Sequence, residues 1–234
     1  MTARWDSVTV DGDAMRCYAA IPAGEGPWPA VVVIQHAGGV DGFIQEMAGR
    51  FAAAGYVAIA PDLYHRQDPE SGEDPLTRMG RLRDGEIVRD VNAAIDHAGR
   101  MGEVAAGRIG IAGFCMGGRV SYLMATHVPS LRAAVVFYGG NIMAPWGEGP
   151  APFDRTESIV CPLLGLFGEQ DTNPSPADVA KLDAELTRLG KQHEFHTYAG
   201  VGHAFMNAAR PGYRQDVAED AWGECLGWLQ QHLS

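Results

Sequence analysis

Cys115 stands at the centre of Gly113-Phe114-Cys115-Met116-Gly117, the spacing glycine, any residue, nucleophile, any residue, glycine. A thiol there can attack a carbonyl carbon if a base or a positive potential turns it into a thiolate, the reactive form. The glycines have a steric purpose. The pattern needs a sharp turn from strand into helix, where flanking side chains would collide with neighbouring backbone. The local sequence predicts that setting: Arg108 to Ala112 reads as a short buried strand, and Gly118 to Thr126, with Val120, Tyr122, Leu123 and Ala125, reads as a packed helix. Amide dipoles at the start of that helix would favour a thiolate.

A base and a group to orient it must follow. The order nucleophile, acid, histidine directs the search downstream. Phe167-Gly168-Glu169-Gln170-Asp171 follows an apolar strand, and Asp171 sits in the turn after it, with Glu169 as a rival two residues away. Among eight histidines, His203 lies in the glycine-rich stretch Gly200-Val201-Gly202-His203, after the last predicted strand. His193, His196 and His232 read as structural or solvated. An oxyanion would need two backbone donors: the amide of Met116, which follows the nucleophile, and that of Ala37 in Gln35-His36-Ala37-Gly38-Gly39.

The elements that must position these groups alternate. Apolar runs at Ala30 to Gln35, Tyr56 to Pro61, Ala133 to Tyr138 and Pro162 to Gly168 read as buried strands. Phe43 to Ala54, Arg81 to Arg100, Pro176 to Leu189 and Gln215 to Leu233 have helical period. Ser7 to Val10 and Met15 to Ile21 read as early strands, Glu194 to Tyr198 as the last one, and Gln67 to Pro75 and Ala144 to Thr156 as loops. The alternation predicts an α/β fold, a mostly parallel central sheet with helices on both faces, as one domain over residues 1–234.

The formal net charge of -11, without a Lys/Arg run, argues against nucleic acid and anionic membrane surfaces as partners. No apolar run approaches the roughly 20 residues that span a bilayer, and no signal peptide is visible. Cys17, Cys115, Cys161 and Cys225 are widely spaced with no Cys-x-x-Cys pair, so neither a metal nor a cofactor is expected, and reduced thiols fit a cytoplasmic protein. A monomer or small homo-oligomer is expected.

Together, Gly113 to Gly118, Ala60-Pro61-Asp62-Leu63-Tyr64, Gly168 to Asp171 and Gly202-His203-Ala204-Phe205 resemble the dienelactone hydrolase family of α/β-hydrolases over nearly the whole chain. The resemblance implies a Cys115-His203-Asp171 triad that hydrolyses a small-molecule ester or lactone through a thioester. The sequence departs from the family at two places. His36 stands where dienelactone hydrolases carry a glutamate that assists the thiol. Phe205-Met206-Asn207 follows the histidine where an arginine holds the substrate carboxylate; Arg78, Arg81 or Arg83 could replace it. His36, Tyr64, Arg81 and Tyr138 are therefore the candidate substrate-binding residues, and Phe114 and Trp146 could add to an apolar wall. A thiolate leaves more readily than a simple alkoxide, so activated esters, enol lactones or thioesters are the expected substrates. Two other readings are a carboxylesterase of broad range and a non-catalytic ligand-binding or thiol-sensing protein on the same scaffold.

Overall fold

The computed structural model describes residues 1–234. Eight strands form one sheet in the order β1-β2-β4-β3-β5-β6-β7-β8: β1 Thr2–Val10, β2 Asp13–Ile21, β3 Trp28–Ile34, β4 Val57–Pro61, β5 Val104–Phe114, β6 Ala134–Phe137, β7 Leu163–Gly168 and β8 His193–Tyr198. The β1–β2 hairpin and the β2–β4 pairing are antiparallel; every pairing from β4 to β8 is parallel. The reversal of strand order around β3 directs successive crossovers to opposite faces.

Side chains on successive strand residues point to opposite faces, so a sheet covered on both sides needs apolar residues without interruption. β3 meets that demand: Ala30, Val32 and Ile34 face one core and Val31 and Val33 the other, all fully buried. Helices α3 Asp84–Arg100, α4 Met116–Ala125 and α5 Pro176–Arg188 cover the first face. Helices α1 Gly42–Ala53 and α6 Gln215–Leu233 cover the second. In α3 the buried residues Ile87, Val91, Ala94, Ile95 and Ala98 follow the helical repeat that made the segment legible.

Two segments depart from the sequence reading. Arg81 to Arg100 is not one helix: a short helix α2, Pro75–Gly80, ends just before it, Arg83 is extended, and α3 begins at Asp84. The carboxylate of Asp74 starts α2 by accepting from the Leu76 and Thr77 amides at 3.0 and 3.1 Å, in a stretch with no buried residue to give it a period. The loop after β6 contains a 3-10 segment, Pro152–Ser158, whose Thr156 hydroxyl lies 2.6 Å from the Tyr122 hydroxyl of α4. No helix is long and apolar enough to cross a membrane.

Candidate active site

β5 ends at Phe114 and α4 begins at Met116, leaving Cys115 alone to make the turn at φ 59° and ψ -120°. An L-residue pays strain in that region, and its neighbours must be small enough to permit the fold-back. A Cβ on Gly113 would sit 2.0 Å from the Gly117 carbonyl oxygen, and one on Gly117 would sit 2.4 Å from that of Ile34. The glycines of the motif are thus fixed by close backbone approach, and the Cys115 amide is anchored to Phe137 O at 3.1 Å.

Asp171 follows β7 and His203 follows β8, and the two loops are laced together: the Gln170 amide donates to Val201 O at 2.8 Å. Close contact requires glycine at 168, where a Cβ would come within 2.6 Å of Gly202 O. The result is a 2.8 Å hydrogen bond between His203 Nδ1 and Asp171 Oδ2, with the Asp171 side chain almost fully buried. Asp171 is further held by the Asn173 amide at 2.9 Å. Glu169 instead accepts from the Gly200 amide at 3.1 Å, so of the two acids it is Asp171 that reaches the imidazole.

The four cysteines differ in electrostatic setting. Burial pushes the Cys17 thiol up to about 12 and Cys161 up to about 11, and drives Cys225 higher still. Cys115 is the one that is not fully buried. Burial opposes its ionisation too, yet its pKa is lowered overall by the adjacent His203 imidazole and by the backbone amides of Met116 and Ala37. Conversely, burial disfavours a charged His203, but Asp171 and the Cys115 thiolate raise its pKa to about 10. The arrangement favours a thiolate–imidazolium pair flanked by the two amides expected to form the oxyanion pocket.

A cavity of about 460 Å³ opens over this group. His36, Ala37, Cys115, Met116, Tyr138, Asp171 and His203 all border it, so seven of the nine candidate positions converge. Tyr138, at φ 39°, sets its ring edge-to-face against His203 with centroids 5.1 Å apart. Trp146 also lines the cavity, whereas Phe114 is core, stacked on Phe137 at 4.5 Å.

Two candidates are corrected. Arg81 does not reach the cavity: its guanidinium is paired with Glu73. Tyr64 lies behind the cavity wall rather than in it, with its hydroxyl donating to Ala37 O at 2.9 Å and 3.5 Å from Met116 Sδ. It braces Ala37 and Met116, the two residues whose amides are expected to meet an oxyanion. Of the other arginines considered, Arg78 stacks on the Tyr64 ring at 4.4 Å, and Arg83 bonds the carbonyls of Gly80 and Leu82. The cation that borders the cavity is Arg210, seven positions beyond His203, exposed and without an ion-pair partner. Leu76 and Met79 of α2 and Phe43 of α1 form an apolar lip. None of these carried a motif; they arrive from a loop, the start of α1 and the short helix α2.

A sharp cysteine elbow on a sheet of this topology, with a histidine–aspartate pair delivered by the last two strand ends, defines an α/β-hydrolase. The Dienelactone hydrolase family model matches residues 15–233, and the chain belongs to that family. It is 36% identical over 233 residues to a provisionally named carboxymethylenebutenolidase of Salmonella typhimurium, with 97% of this chain and 86% of that protein covered. A similarly named protein of Methylorubrum extorquens is 33% identical over 225 residues, covering 92% and 76%. The crystal structure of a provisionally named dienelactone hydrolase from Klebsiella pneumoniae superposes with a TM-score of 0.90 at 33% identity, with 98% of each chain covered.

Proposed function

We propose that this hydrolase cleaves an activated ester or a lactone by covalent catalysis at Cys115, with His203 as proton carrier and Asp171 as its orienting partner. The observation that carries this reading is the contrast among the thiols: Cys115 alone has its pKa lowered, and it is the cysteine beside an imidazole held by a buried carboxylate.

In the first half-reaction the Cys115 thiolate forms a bond to the substrate carbonyl carbon, and the carbonyl π-electrons move onto oxygen. The amides of Met116 and Ala37 stabilise that oxyanion. Collapse re-forms the carbonyl and breaks the bond to the leaving oxygen, which takes the proton of the His203 imidazolium. The product is a thioester, with the leaving group released or, from a lactone, still attached through the ring chain. Acylation removes the thiolate charge, one of the groups that raise the His203 pKa, so the imidazole is left neutral and a stronger candidate base for water. His203 takes a proton from water, becoming the imidazolium, as the hydroxide adds to the thioester carbonyl; collapse then breaks the carbon–sulfur bond, releasing the acid and the Cys115 thiolate.

The cavity supports a substrate with an apolar body against Leu76, Met79 and Trp146 and an anionic substituent toward Arg210. Carboxylated enol lactones have that form. A carboxylesterase of broader range is the second reading, favoured by the apolar lip and by the lack of another lysine or arginine in the lining. Turnover of a panel of enol lactones, aryl esters and thioesters, with and without a carboxylate, separates the two. Cys115→Ala should lose at least about a thousandfold in kcat, and mass spectrometry of the rapidly quenched wild type should show a mass increase on Cys115. Undiminished turnover by Cys115→Ala would exclude the mechanism.

A further inference from the structure

A second histidine–carboxylate pair, His36–Asp41, meets the cavity through the His36 ring, and the reaction above leaves it unused. His36 Nε2 lies 2.8 Å from Asp41 Oδ2. The other carboxylate oxygen of Asp41 accepts from the amides of Phe43 and Ile44 at 3.1 and 3.2 Å, making Asp41 the N-cap of α1. One carboxylate therefore ties the residue that precedes Ala37 to the start of a helix. The loop between them is closed further by the Gly39 amide, which donates to His36 O at 3.0 Å. It has no room for a side chain at 38, where a Cβ would lie 2.6 Å from His36 Cε1 and 3.0 Å from Asp41 Oδ2. On the far side Tyr64 holds the Ala37 carbonyl, and the edge of Phe43 meets the His36 ring at a centroid distance of 5.5 Å.

We propose that His36 and Asp41 are positioning residues for the oxyanion pocket: the pair clamps the loop that carries the Ala37 amide to α1, fixing that donor before substrate binds. The inference rests on the reading of Cys115 as nucleophile. His36 contributes by being bound to Asp41 rather than by acting on the thiol, so it does not stand in for a carboxylate that assists ionisation. An aimed donor stabilises charge that develops only as the carbonyl is attacked, so its loss should fall on kcat more than on KM.

The full chain is tested with an activated aryl ester and, independently of turnover, by the pH dependence of Cys115 alkylation with iodoacetamide. The titratable groups that face Cys115 are His203, Tyr64 and Tyr138, with Asp171 behind the imidazole, and all are retained in the variants. His36→Ala should lower kcat by about tenfold to a hundredfold, with KM within about twofold, and move the alkylation midpoint to higher pH. His36→Gln places an N–H donor near the original Nε2 and should recover most of both losses. Asp41→Ser keeps a strong N-cap for α1 but is too short to reach His36, so it should reproduce His36→Ala while retaining the wild-type melting temperature within a few degrees. Wild-type kcat and alkylation midpoint in both His36→Ala and Asp41→Ser would overturn the proposal, as would losses that track unfolding alone. An ordinary-thiol midpoint in the wild type together with full turnover by Cys115→Ala would instead overturn the nucleophile assignment on which it rests.

Discussion

The chemistry proposed for Cys115 draws on two opposed pKa shifts. The thiol lies below its ordinary value and His203 lies above its own, at about 10, so both are charged in the interval between the two folded values. Their mutual stabilisation falls away below the lowered thiol pKa, where the thiolate is protonated, and above about pH 10, where the imidazolium loses its proton. Iodoacetamide modification of Cys115 should therefore rise with pH through a midpoint below that of an ordinary thiol. Asp171→Asn removes the charge that sustains the imidazolium and should shift that midpoint upward, measurable by following alkylation rates. Arg210 gives a separate expectation. Arg210→Ala should raise KM about threefold to fivefold for carboxylated substrates and leave neutral esters unchanged, as the loss of one exposed ion pair predicts. Equal effects on both substrate sets would remove Arg210 from substrate recognition.

At the scale of elements, the elbow is held by what fits beneath it and beside it. Gly117→Ala would force a methyl against the Ile34 carbonyl, at the fully buried end of β3. Overpacking of this kind should cost about 1–3 kcal/mol, seen as a lower urea midpoint, and should depress kcat by tilting Cys115. One turn into α4, Arg119 is fully buried and bonds both oxygens of Asp84 at 2.6 and 2.9 Å. It also donates to Asn141 O and Ala144 O and lies 4.0 Å from the Trp146 ring. Trp146 completes the lattice, its amide donating to Asp84 at 2.9 Å. A single guanidinium thus fastens the cavity wall to α4, the helix that follows Cys115. Arg119→Ala would strand the Asp84 charge and should destabilise the fold by about 3–5 kcal/mol in urea titration. In whatever folded fraction remains, a loosened Trp146 should raise KM for apolar substrates.

For the molecule as a whole, parallel pairing from β4 to β8 brings the C-terminal ends of β3, β5, β7 and β8 to one edge, where Ala37, Cys115, Asp171 and His203 meet. Both cores share the same strands, so we propose that residues 1–234 unfold as one unit. Trp5, Trp28, Trp146, Trp222 and Trp228 sample the outer hairpin, the central strand, the cavity wall and α6. Loss of tryptophan fluorescence and loss of activity in urea should coincide; activity lost in an earlier, separate transition would divide the chain.

What the sequence determined by itself is what covalent neighbours and period encode. The strand–turn–helix around Cys115 and the unbroken apolar strands follow from residues close in the chain, because a two-sided sheet and a tight elbow leave few alternatives, and the order of Cys115, Asp171 and His203 is read directly along it. The tertiary structure decided which distant loops share the cavity. Arg210 faces it and Arg81 does not; Tyr64 braces from behind; α2, with no buried face, supplies the lip; and Asp41 binds His36 through an oxygen left free by helix capping. Side-chain type alone could not rank these choices, since an arginine or tyrosine serves equally well on a surface, in an ion pair or against a ligand. Backbone packing that closes each loop settles which of these environments the side chain meets.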